Sequence, residues 1–444
     1  MRPGAAARVT RRELLAGAAA ATGAAALSGC RQPAATAAGS RELVVWHSWG
    51  GPHAETFPRV IRRFEQTHPG IRIRPVFTPN NLSANQKFFT AVAAGTPPDV
   101  VFVDGPQVAS WAERGSLTPL TDRLSGAGIS EADYFPPTWR QNLYRDEVWA
   151  ITYCADPNFG FAWNPELFEQ AGLDPDRPPR TIAELTEFAH RTTRERNRVL
   201  TKVGIIPWAQ YGPANSMFTW GWVFGGDFFD YETGKVTADD PKVVKALEWM
   251  VSFTERYPPE RMQSMQQGIG HTEQDPFFSG RMAMRCMHIS GVSSLERYAP
   301  DLPYRLTYIP APPDGEARSS WVGGWCMSIP AGSRHPDDAW ELIRWLCHDE
   351  EGTVLVGREK GLLPGMRRSA YFREVVRDPR LEAFVRILEE SRHQRPVMPV
   401  QAFYMREMKR AVDAAVYGQK TPAEALADAR KNTQAELDLV LAGS

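Results

Sequence analysis

Three short apolar runs between residues 42 and 114 each precede a segment with apolar residues at helical spacing. The runs cover 42–46, 71–76 and 99–104, and the third is apolar throughout its middle, as in a strand buried on both faces. Repeated strand–helix pairs fold into layered lobes with largely parallel strands, because each helix returns the chain to the start of the next strand. The pattern therefore predicts an α/β fold for the N-terminal part of the chain.

The pattern resumes beyond Asp156 with different residues. Segments 204–208 and 280–284 have the composition of strands, and the Pro-rich stretch 309–313 is typical of an extended crossing between lobes. At 444 residues the chain exceeds what one core usually holds, since cores stop growing beyond about 250–300 residues. We therefore expect two lobes.

Polar caps mark where several helices should begin. Thr181 and Glu184 have the spacing of a capping box, and Asp240 precedes Pro241 as an N-cap precedes a first-turn proline. Residues 421–424 repeat this arrangement near the C-terminus. The sequence therefore predicts helices that begin directly after each of these caps.

Residues 1–29 have the composition of an export signal, with basic residues followed by an Ala-rich apolar tract. Arg11 and Arg12 resemble the twin-arginine signature of signals that export folded proteins. The apolar tract 14–26 is shorter than the roughly 20 residues that a permanent membrane span requires. We therefore interpret residues 1–29 as a removable twin-arginine-type signal peptide.

Cys30 follows Leu27-Ser28-Gly29, an order that resembles the lipobox of bacterial lipoproteins. In that motif the cysteine becomes an acylated N-terminus after cleavage; the alternative is an incidental thiol near a generic cleavage site. Residues 30–40 are rich in Ala, Pro, Gly and Thr, which is typical of a tether. Lipidated Cys30 would anchor the exported chain to the outer face of the cytoplasmic membrane.

The sequence contains none of the common catalytic or cofactor motifs. It has no phosphate loop, zinc-binding helix, nucleophile elbow or dinucleotide-binding turn, and its histidines are scattered. A net charge of -1 without a basic cluster gives nucleic acid no electrostatic site. The four cysteines after Cys30 form no CxxC pair, so we interpret them as buried free thiols. We expect no catalytic residues, metal or cofactor, and no enzymatic activity.

Two segments combine tryptophan with glycine, and we interpret both as loop-rich platforms for a ligand. An indole ring can cover the apolar CH face of a sugar while polar groups bind its hydroxyls. For any single tryptophan, core packing is an equally good interpretation. The candidates are Trp208, Trp220 and Trp222 in the first segment, and Trp321 and Trp325 in the second.

Three carboxylates are candidate ligand-binding groups: Asp104, Asp156 and Asp227. Each follows an apolar strand or lies in a Gly- and aromatic-rich segment, and ligands bind at the carboxyl ends of parallel strands. An ionised carboxylate accepts strong hydrogen bonds from sugar hydroxyls. Two carboxylates beside tryptophans also occur in glycosidases, and capping of a turn is the structural alternative for each of the three.

Seven stretches, taken in order, resemble the family of extracellular sugar-binding proteins of ATP-binding-cassette importers over roughly residues 41–440. They are FEQTHPGI at 64–71, AAGTPPDV at 93–100, WNPELF at 163–168, FGGD at 224–227, FSGRMAM at 278–284, GGW at 323–325 and HPDDAW at 335–340. Each stretch alone is weakly specific, and their shared order carries the resemblance.

The resemblance implies a two-lobed, type II periplasmic-binding-protein-like fold with hinge strands and a ligand cleft between the lobes. Lobe 1 would comprise residues 41–153 and 312–370, and lobe 2 residues 154–311 and 371–444. Position in the family adds His47 and Trp49, in the loop after the first strand, to the cleft residues. The chain departs from the family at 152–154, where proline is common after Ile151.

The function that the resemblance implies is capture of a sugar or oligosaccharide by cleft closure and delivery to membrane permease subunits. The protein would act as a monomer and would bind no nucleic acid. The alternatives are a binding protein for glycerol phosphate or another polyol, a lipoprotein glycosidase, and a sensor that presents its ligand-bound form to a receptor.

Overall fold

A computed structural model describes residues 40–79, 82–269 and 273–443. The predicted signal peptide, Cys30 and residues 31–39 lie outside these ranges. Within them, the search for a helix with the length and apolar character of a membrane span finds none.

The strands and helices follow one another along the whole described chain. The strands are β1 (Arg41–His47), β2 (Ile71–Phe77), β3 (Val100–Asp104), β4 (Leu143–Tyr144), β5 (Glu147–Val148), β6 (Ile151–Asn158), β7 (Gly160–Trp163), β8 (Arg194–Arg196), β9 (Val199–Lys202), β10 (Phe229–Asp230), β11 (Lys235–Val236), β12 (Met284–Met287), β13 (Arg305–Thr307), β14 (Trp321–Ser328) and β15 (Leu363–Pro364). The helices are α1 (Gly51–Thr67), α2 (Leu82–Ala93), α3 (Val108–Glu113), α4 (Thr121–Ala127), α5 (Pro136–Arg140), α6 (Pro165–Glu169), α7 (Ile182–Thr192), α8 (Pro213–Val223), α9 (Pro241–Arg256), α10 (Pro259–Gln267), α11 (Ser290–Tyr298), α12 (Pro336–Cys347), α13 (Glu350–Lys360), α14 (Tyr371–Val375), α15 (Pro379–Glu390), α16 (Gln401–Val416) and α17 (Pro422–Ala442).

The larger sheet runs in the order β15-β6-β14-β3-β1-β2 across the described residues. β1 pairs in parallel with β2 and β3, and α1 and α2 provide the crossovers, which confirms the predicted strand–helix pattern. β14 and β15 join antiparallel, so the sheet as a whole is mixed and the expectation of largely parallel strands holds only for its first three. A smaller antiparallel sheet, β12-β7-β13, lies in the second half of the chain.

Two main groups of buried apolar residues divide the molecule into lobes. The N-terminal lobe is built around Leu43 to Cys154 and Met327 to Met366, and the C-terminal lobe around Ala155 to Val322 and Tyr371 to Leu437. Strands β6 and β14 therefore each begin in one lobe and end in the other. β6 and β14 pair with each other along their length, so the chain crosses between the two lobes twice at the same place.

The crossing predicted at 309–313 is not where the chain changes lobe. Ile309 packs in the C-terminal core, Ala311 pairs with Thr181, and the Glu316 amide donates to Val223. Residues 312–320, expected in the first lobe, thus contact the second, and the second crossing falls within β14. The reason is that β14 is placed by its long-range pairing with β6 and not by the prolines before it.

Three other segments differ from the sequence interpretation. Residues 204–208 are not a strand, and Pro207–Ala209 instead form a short 3-10 helix. The strand predicted at 280–284 begins only at Met284. The segment interpreted as a Trp- and Gly-rich loop is largely helix α8, which is buried on all sides, as expected for a helix apolar around its circumference.

The predicted helix caps are confirmed. The side chains of Thr181, Asp240 and Thr421 each accept a hydrogen bond from a backbone N–H in the first turn of α7, α9 and α17. Four cysteines of the described part are buried and free, as interpreted from their spacing: Cys154, Cys286, Cys326 and Cys347.

Candidate functional site

Asp104 lies at the carboxyl end of β3, on the edge of the N-terminal lobe that faces the other lobe. Its Oδ1 accepts a 2.6 Å hydrogen bond from Nη2 of Arg395, which lies between α15 and α16 of the C-terminal lobe. The two side chains are only 10% and 11% exposed. The guanidinium of Arg395 also lies 5.5 Å from the ring centroid of Trp321, at the start of β14. This ion pair joins the two lobes.

Polar side chains of the N-terminal lobe extend from Asp104. Nε2 of Gln107 donates to Oδ2 of Asp104 at 3.5 Å, and Nδ2 of Asn85 donates to Oε1 of Gln107 at 3.0 Å. Trp325 lies directly opposite Asp104 across the β3–β14 ladder and is partly buried. The Asp104 carboxylate is therefore the end of a chain of hydrogen-bonded side chains, and it lies beside the Trp325 ring.

Asp156 is a second buried carboxylate, on the crossing strand β6 opposite Gly323. A Cβ at position 323 would lie 3.7 Å from the Cβ of Asp156 and 2.8 Å from Nδ2 of Asn158, so glycine leaves room beside the carboxylate. Oδ1 of Asp156 lies 3.8 Å from Nε2 of His288. Within the described residues this oxygen is buried and has no hydrogen-bond partner.

Tyr211 packs beside these groups, with its ring stacked on that of His288 at a centroid distance of 5.7 Å. Burial raises the pKa of Tyr211 to about 12, the carboxylate of Asp156 adds to the rise, and Arg395 opposes it. The pKa of Tyr211 thus responds to charges on the crossing strand β6 and on the segment between α15 and α16. We call Asp104, Asp156, Tyr211, His288, Trp321 and Arg395 the interlobe site.

The interlobe site has no surplus of positive charge. Two carboxylates, Asp104 and Asp156, face one guanidinium and one imidazole. In the described part, Nε of Arg395 is a buried donor without a partner, as Oδ1 of Asp156 is a buried acceptor without one. Unpaired buried donors and acceptors are costly, so the site is suited to a neutral ligand that offers both kinds of group.

His47 and Trp49 lie in the N-terminal core next to the end of β1. The indole N–H of Trp49 donates to the hydroxyl of Tyr153, and Nζ of Lys360 lies 4.2 Å from the Trp49 ring centroid and 5.2 Å from that of Phe57. Burial and the charge of Lys360 lower the pKa of His47 to about 4. Burial lowers the pKa of Lys360 itself to about 7. This arrangement is a buried amine in an aromatic cage.

The remaining predicted residues are not brought to the interlobe site. Trp208 donates to Gln266, Trp220 donates to the carbonyl of Pro207, and Trp222 stacks on His393; all three are at most 2% exposed in the C-terminal lobe. Asp227 is exposed and accepts the amide N–H of Phe228. Packing and hydrogen bonds account for Trp208 and Trp220, and turn capping accounts for Asp227. The buried indole N–H of Trp222 has no partner among the described residues, and its ring centroid lies 6.0 Å from that of Trp321.

Sequence reasoning missed three members of the interlobe site: Tyr211, His288 and Arg395. His288 follows the buried strand β12 directly, which is the same signal that selected Asp104 after β3. Arg395 lies in an irregular segment with no strand or helix pattern, so its position depends on the packing of α15 and α16. A search for three or more His, Cys, Asp or Glu side chains able to hold a metal ion finds no group in the described part.

Comparison with protein-family models gives a match over most of the described chain. The model described as bacterial extracellular solute-binding protein matches residues 50–352. Residues of both lobes lie within this range, including Asp104, Asp156, Tyr211 and His288.

Two curated relatives illustrate the range of ligands. The mannitol-binding protein of Pseudomonas aeruginosa is 26% identical over 408 residues, which are 85% of this chain and 89% of that protein. The sn-glycerol-3-phosphate-binding periplasmic protein UgpB of Salmonella typhimurium is 22% identical over 294 residues, which are 64% of this chain and 65% of that protein.

Solved structures of similar fold confirm the predicted two-lobed architecture. CpMnBP1 with mannobiose bound has a TM-score of 0.79 at 25% identity and covers 88% of this chain and 99% of its own. An ABC transporter solute-binding protein from Thermotoga lettingae bound with α-D-tagatose has a TM-score of 0.76 at 24% identity and covers 90% of this chain and 100% of its own.

Proposed function

Because the chain belongs to the family of bacterial extracellular solute-binding proteins, we propose that it captures a neutral polyhydroxylated ligand between its lobes. The ligand class is a sugar, oligosaccharide or sugar alcohol, and the bound form delivers it to the permease of an ATP-binding-cassette importer. Relatives named for mannitol and a structure with mannobiose support this class. We propose that the chain first captures the ligand, then closes around it and then delivers it to the permease.

The ion pair between Asp104 and Arg395 is the observation that carries the proposal. It joins the two lobes through a 2.6 Å hydrogen bond and is nearly buried beside the Trp321 ring. Asp156, on the crossing strand β6, has a buried oxygen without a partner among the described residues. A ligand that hydrogen-bonds to Asp104 and Asp156 would contact a strand end of one lobe and a crossing strand. Such a ligand binds the closed form better than the open form and shifts the equilibrium by that difference.

The charge of the interlobe site favours a neutral ligand over glycerol phosphate. A phosphate requires a surplus of cationic donors or a helix N-terminus directed at it. Here Arg395 is already paired with Asp104, and Asp156 adds a second negative charge. A bound phosphate would therefore face two carboxylates in a region of low solvent exposure, where like charges repel strongly.

The arrangement of the two carboxylates suits binding better than glycosidic cleavage. A glycosidase places two carboxyl groups on either side of one bond, roughly 5–10 Å apart, with one of them free to donate a proton. Asp104 already accepts hydrogen bonds from Arg395 and Gln107, so it is held as an acceptor. We therefore propose a binding role for both residues.

Ligand stabilisation tests the proposal. Thermal unfolding of the purified chain is measured with mannitol, mannobiose, mannotriose, tagatose, maltotriose and glycerol 3-phosphate, and each mixture is then analysed by chromatography for products. A ligand at a hundred times its Kd stabilises by about 2.7 kcal/mol. We expect one neutral compound to raise the Tm and to be recovered intact.

Two variants make this test specific. Asp104→Asn should weaken the shift given by that compound, whereas Asp227→Asn, an exposed carboxylate in a turn, should leave it unchanged. Stabilisation by glycerol 3-phosphate alone, or breakdown of a glycoside, would contradict the proposal.

We further propose that Cys30 anchors the mature chain to the outer face of the cytoplasmic membrane. Cys30 lies outside the described residues, and the proposal is supported by the lipobox-like order Leu27-Ser28-Gly29-Cys30. Metabolic labelling with palmitate should mark the wild-type chain in the membrane fraction and leave Cys30→Ser unlabelled. Equal labelling of both would show that this cysteine is not the lipidation site.

A further inference from the structure

The ring of His288 is held in one orientation at the end of β12. The backbone N–H of Ser290 donates to its Nδ1 at 3.1 Å, and the Ser290 hydroxyl lies 2.8 Å from the same nitrogen. A backbone N–H can only donate, so Nδ1 is an acceptor and the neutral ring carries its proton on Nε2. Nε2 of His288 is therefore a donor.

That donor faces an acceptor that it does not reach. Oδ1 of Asp156 lies 3.8 Å from Nε2, which is longer than a hydrogen bond. Both residues are 8% exposed, and Oδ1 of Asp156 has no partner among the described residues. A buried acceptor without a partner costs free energy, and the cost is larger when the acceptor is charged.

We propose that His288 and Asp156 form a subsite for a single ligand hydroxyl, which deepens the proposed function and rests on it. The hydroxyl oxygen accepts the hydrogen of Nε2, and the hydroxyl hydrogen is donated to Oδ1. Among small neutral groups, a hydroxyl both accepts and donates through one atom, whereas a carbonyl only accepts and a methyl group does neither. The subsite therefore selects a hydroxyl at one position of the ligand.

Tyr211 closes this subsite on one side. Its ring is nearly parallel to that of His288, at an angle of 17°, and it also packs against Phe159. The stack holds the imidazole plane on that side, while Tyr211 itself remains 47% exposed. Two hydrogen bonds of about 2.8 Å at one tetrahedral oxygen span roughly 4.5 Å. The distance between Nε2 of His288 and Oδ1 of Asp156 should therefore increase by less than about 1 Å when the ligand hydroxyl binds.

Calorimetric titration with deoxygenated ligands tests the subsite. The probes are the tightest-binding compound among mannitol, mannobiose, mannotriose, tagatose and maltotriose, and its singly deoxygenated analogues. One analogue should bind the wild-type chain about 10- to 100-fold more weakly than the parent compound, because it leaves both buried groups unpaired. His288→Leu should bind the parent more weakly by a similar factor and should no longer distinguish it from that analogue.

Further variants separate this subsite from a general loss of structure. His288→Gln keeps a side-chain N–H donor and should retain more affinity than His288→Leu. His68→Leu replaces a histidine that follows the last turn of α1, away from the interlobe site, and should bind like the wild type. If His288→Leu does not fold, the comparison of His288→Gln with the wild type across the analogues replaces it.

The outcomes are distinct for the two proposals. Equal weakening of every analogue by His288→Leu, or binding within twofold of the wild type, would overturn the hydroxyl subsite while leaving the proposed function intact. Failure of the wild-type chain to bind any of the five parent compounds would instead count against the proposed function.

Discussion

Lys360 places an ammonium group in the interior of the N-terminal lobe, with a side chain that is 4% exposed. The faces of Trp49 and Phe57 favour the cation, but burial still lowers its pKa from 10.5 to about 7. Between pH 7 and 10.5 the unfolded chain therefore binds more protons at this residue than the folded chain does. The contribution of Lys360 to stability rises with pH across that window and is lowest below pH 7.

Replacement of Lys360 should show that its protonation changes the stability of the fold. We expect Lys360→Met to raise the free energy of unfolding at pH 7 by about 1–3 kcal/mol, because an apolar side chain of similar size needs no solvation. The gain over the wild type should shrink as the pH rises from 7 to 9, as measured by urea denaturation at each pH. Lys87→Met, an exposed lysine 5.0 Å from the ring of Trp46, is the matched control. A gain in the free energy of unfolding that is constant with pH would disprove the lowered pKa of Lys360.

At the scale of single residues, the sequence selects candidate side chains but does not predict which of them lie together. Asp104, Asp156 and Trp321 reach the interlobe site, whereas Trp220 and Trp222 are in a core. Trp321 has the same kinds of neighbour in sequence as Trp220 and Trp222, glycine and aromatics. Trp220 and Trp222 are buried in the core because their helix, α8, packs against α9 and α16. Helix α16 lies far from α8 in the chain.

At the scale of elements, close approach of backbones decides several positions. Gly204 lies against α7, and its amide N–H donates to the hydroxyl of Thr193 just after that helix. A methyl group at this position would meet the Cα and carbonyl oxygen of Ala189 at 2.3 Å. The segment therefore requires glycine for space, and its φ angle is not in the left-handed region.

Gly204→Ala should therefore be destabilising. We expect a loss of about 2–3 kcal/mol, because backbone atoms cannot rotate out of the way as a side chain can. Urea denaturation of the variant measures the loss. Gly70→Ala is the control, since a Cβ at Gly70 meets no atom within 4 Å, and it should change stability by less than about 0.5 kcal/mol. Equal losses of stability from the two substitutions would show that residue 204 does not lie as close to the Ala189 backbone as described.

The elements that sequence patterns predicted best are those defined by neighbouring residues. Caps and apolar spacing predicted α7, α9 and α17, and the apolar runs predicted β1 to β3. The crossing strand β14 was not located, because its end points depend on pairing with β6, more than 160 residues earlier in the chain. Long-range pairing leaves no local pattern.

For the whole molecule, the ion pair between Asp104 and Arg395 should influence how readily the lobes separate. Arg395→Met would leave the Asp104 carboxylate nearly buried and without its charged partner in the closed form, a cost of about 3–5 kcal/mol. The open form avoids this cost by hydrating the carboxylate. We therefore expect a larger radius of gyration for the unliganded variant than for the wild type in small-angle X-ray scattering.

A surface pair provides the control for that measurement. Arg74→Met removes an ion pair with Glu42 in which both side chains are about half exposed, and such pairs contribute little. Its radius of gyration should equal that of the wild type. If Arg395→Met is as compact as Arg74→Met, the interlobe ion pair does not favour closure.

The two-lobed architecture itself was predictable, because chain length and repeated strand–helix pairs both require it. The interlobe site was predictable only in part. Its members come from β3, β6, the start of β14 and three irregular segments that approach one another only when the lobes pack. Local patterns identify strand ends but not which ends meet.

We propose that one neutral polyhydroxylated ligand is held by both lobes at the interlobe site. The most direct test is a crystal structure of the chain with the neutral compound that stabilises it most. We expect ligand hydroxyls within hydrogen-bonding distance of Asp104 and of Asp156, with one of them between Asp156 and His288. A ligand bound to one lobe alone, or outside the site while Asp104 and Arg395 remain paired, would contradict it.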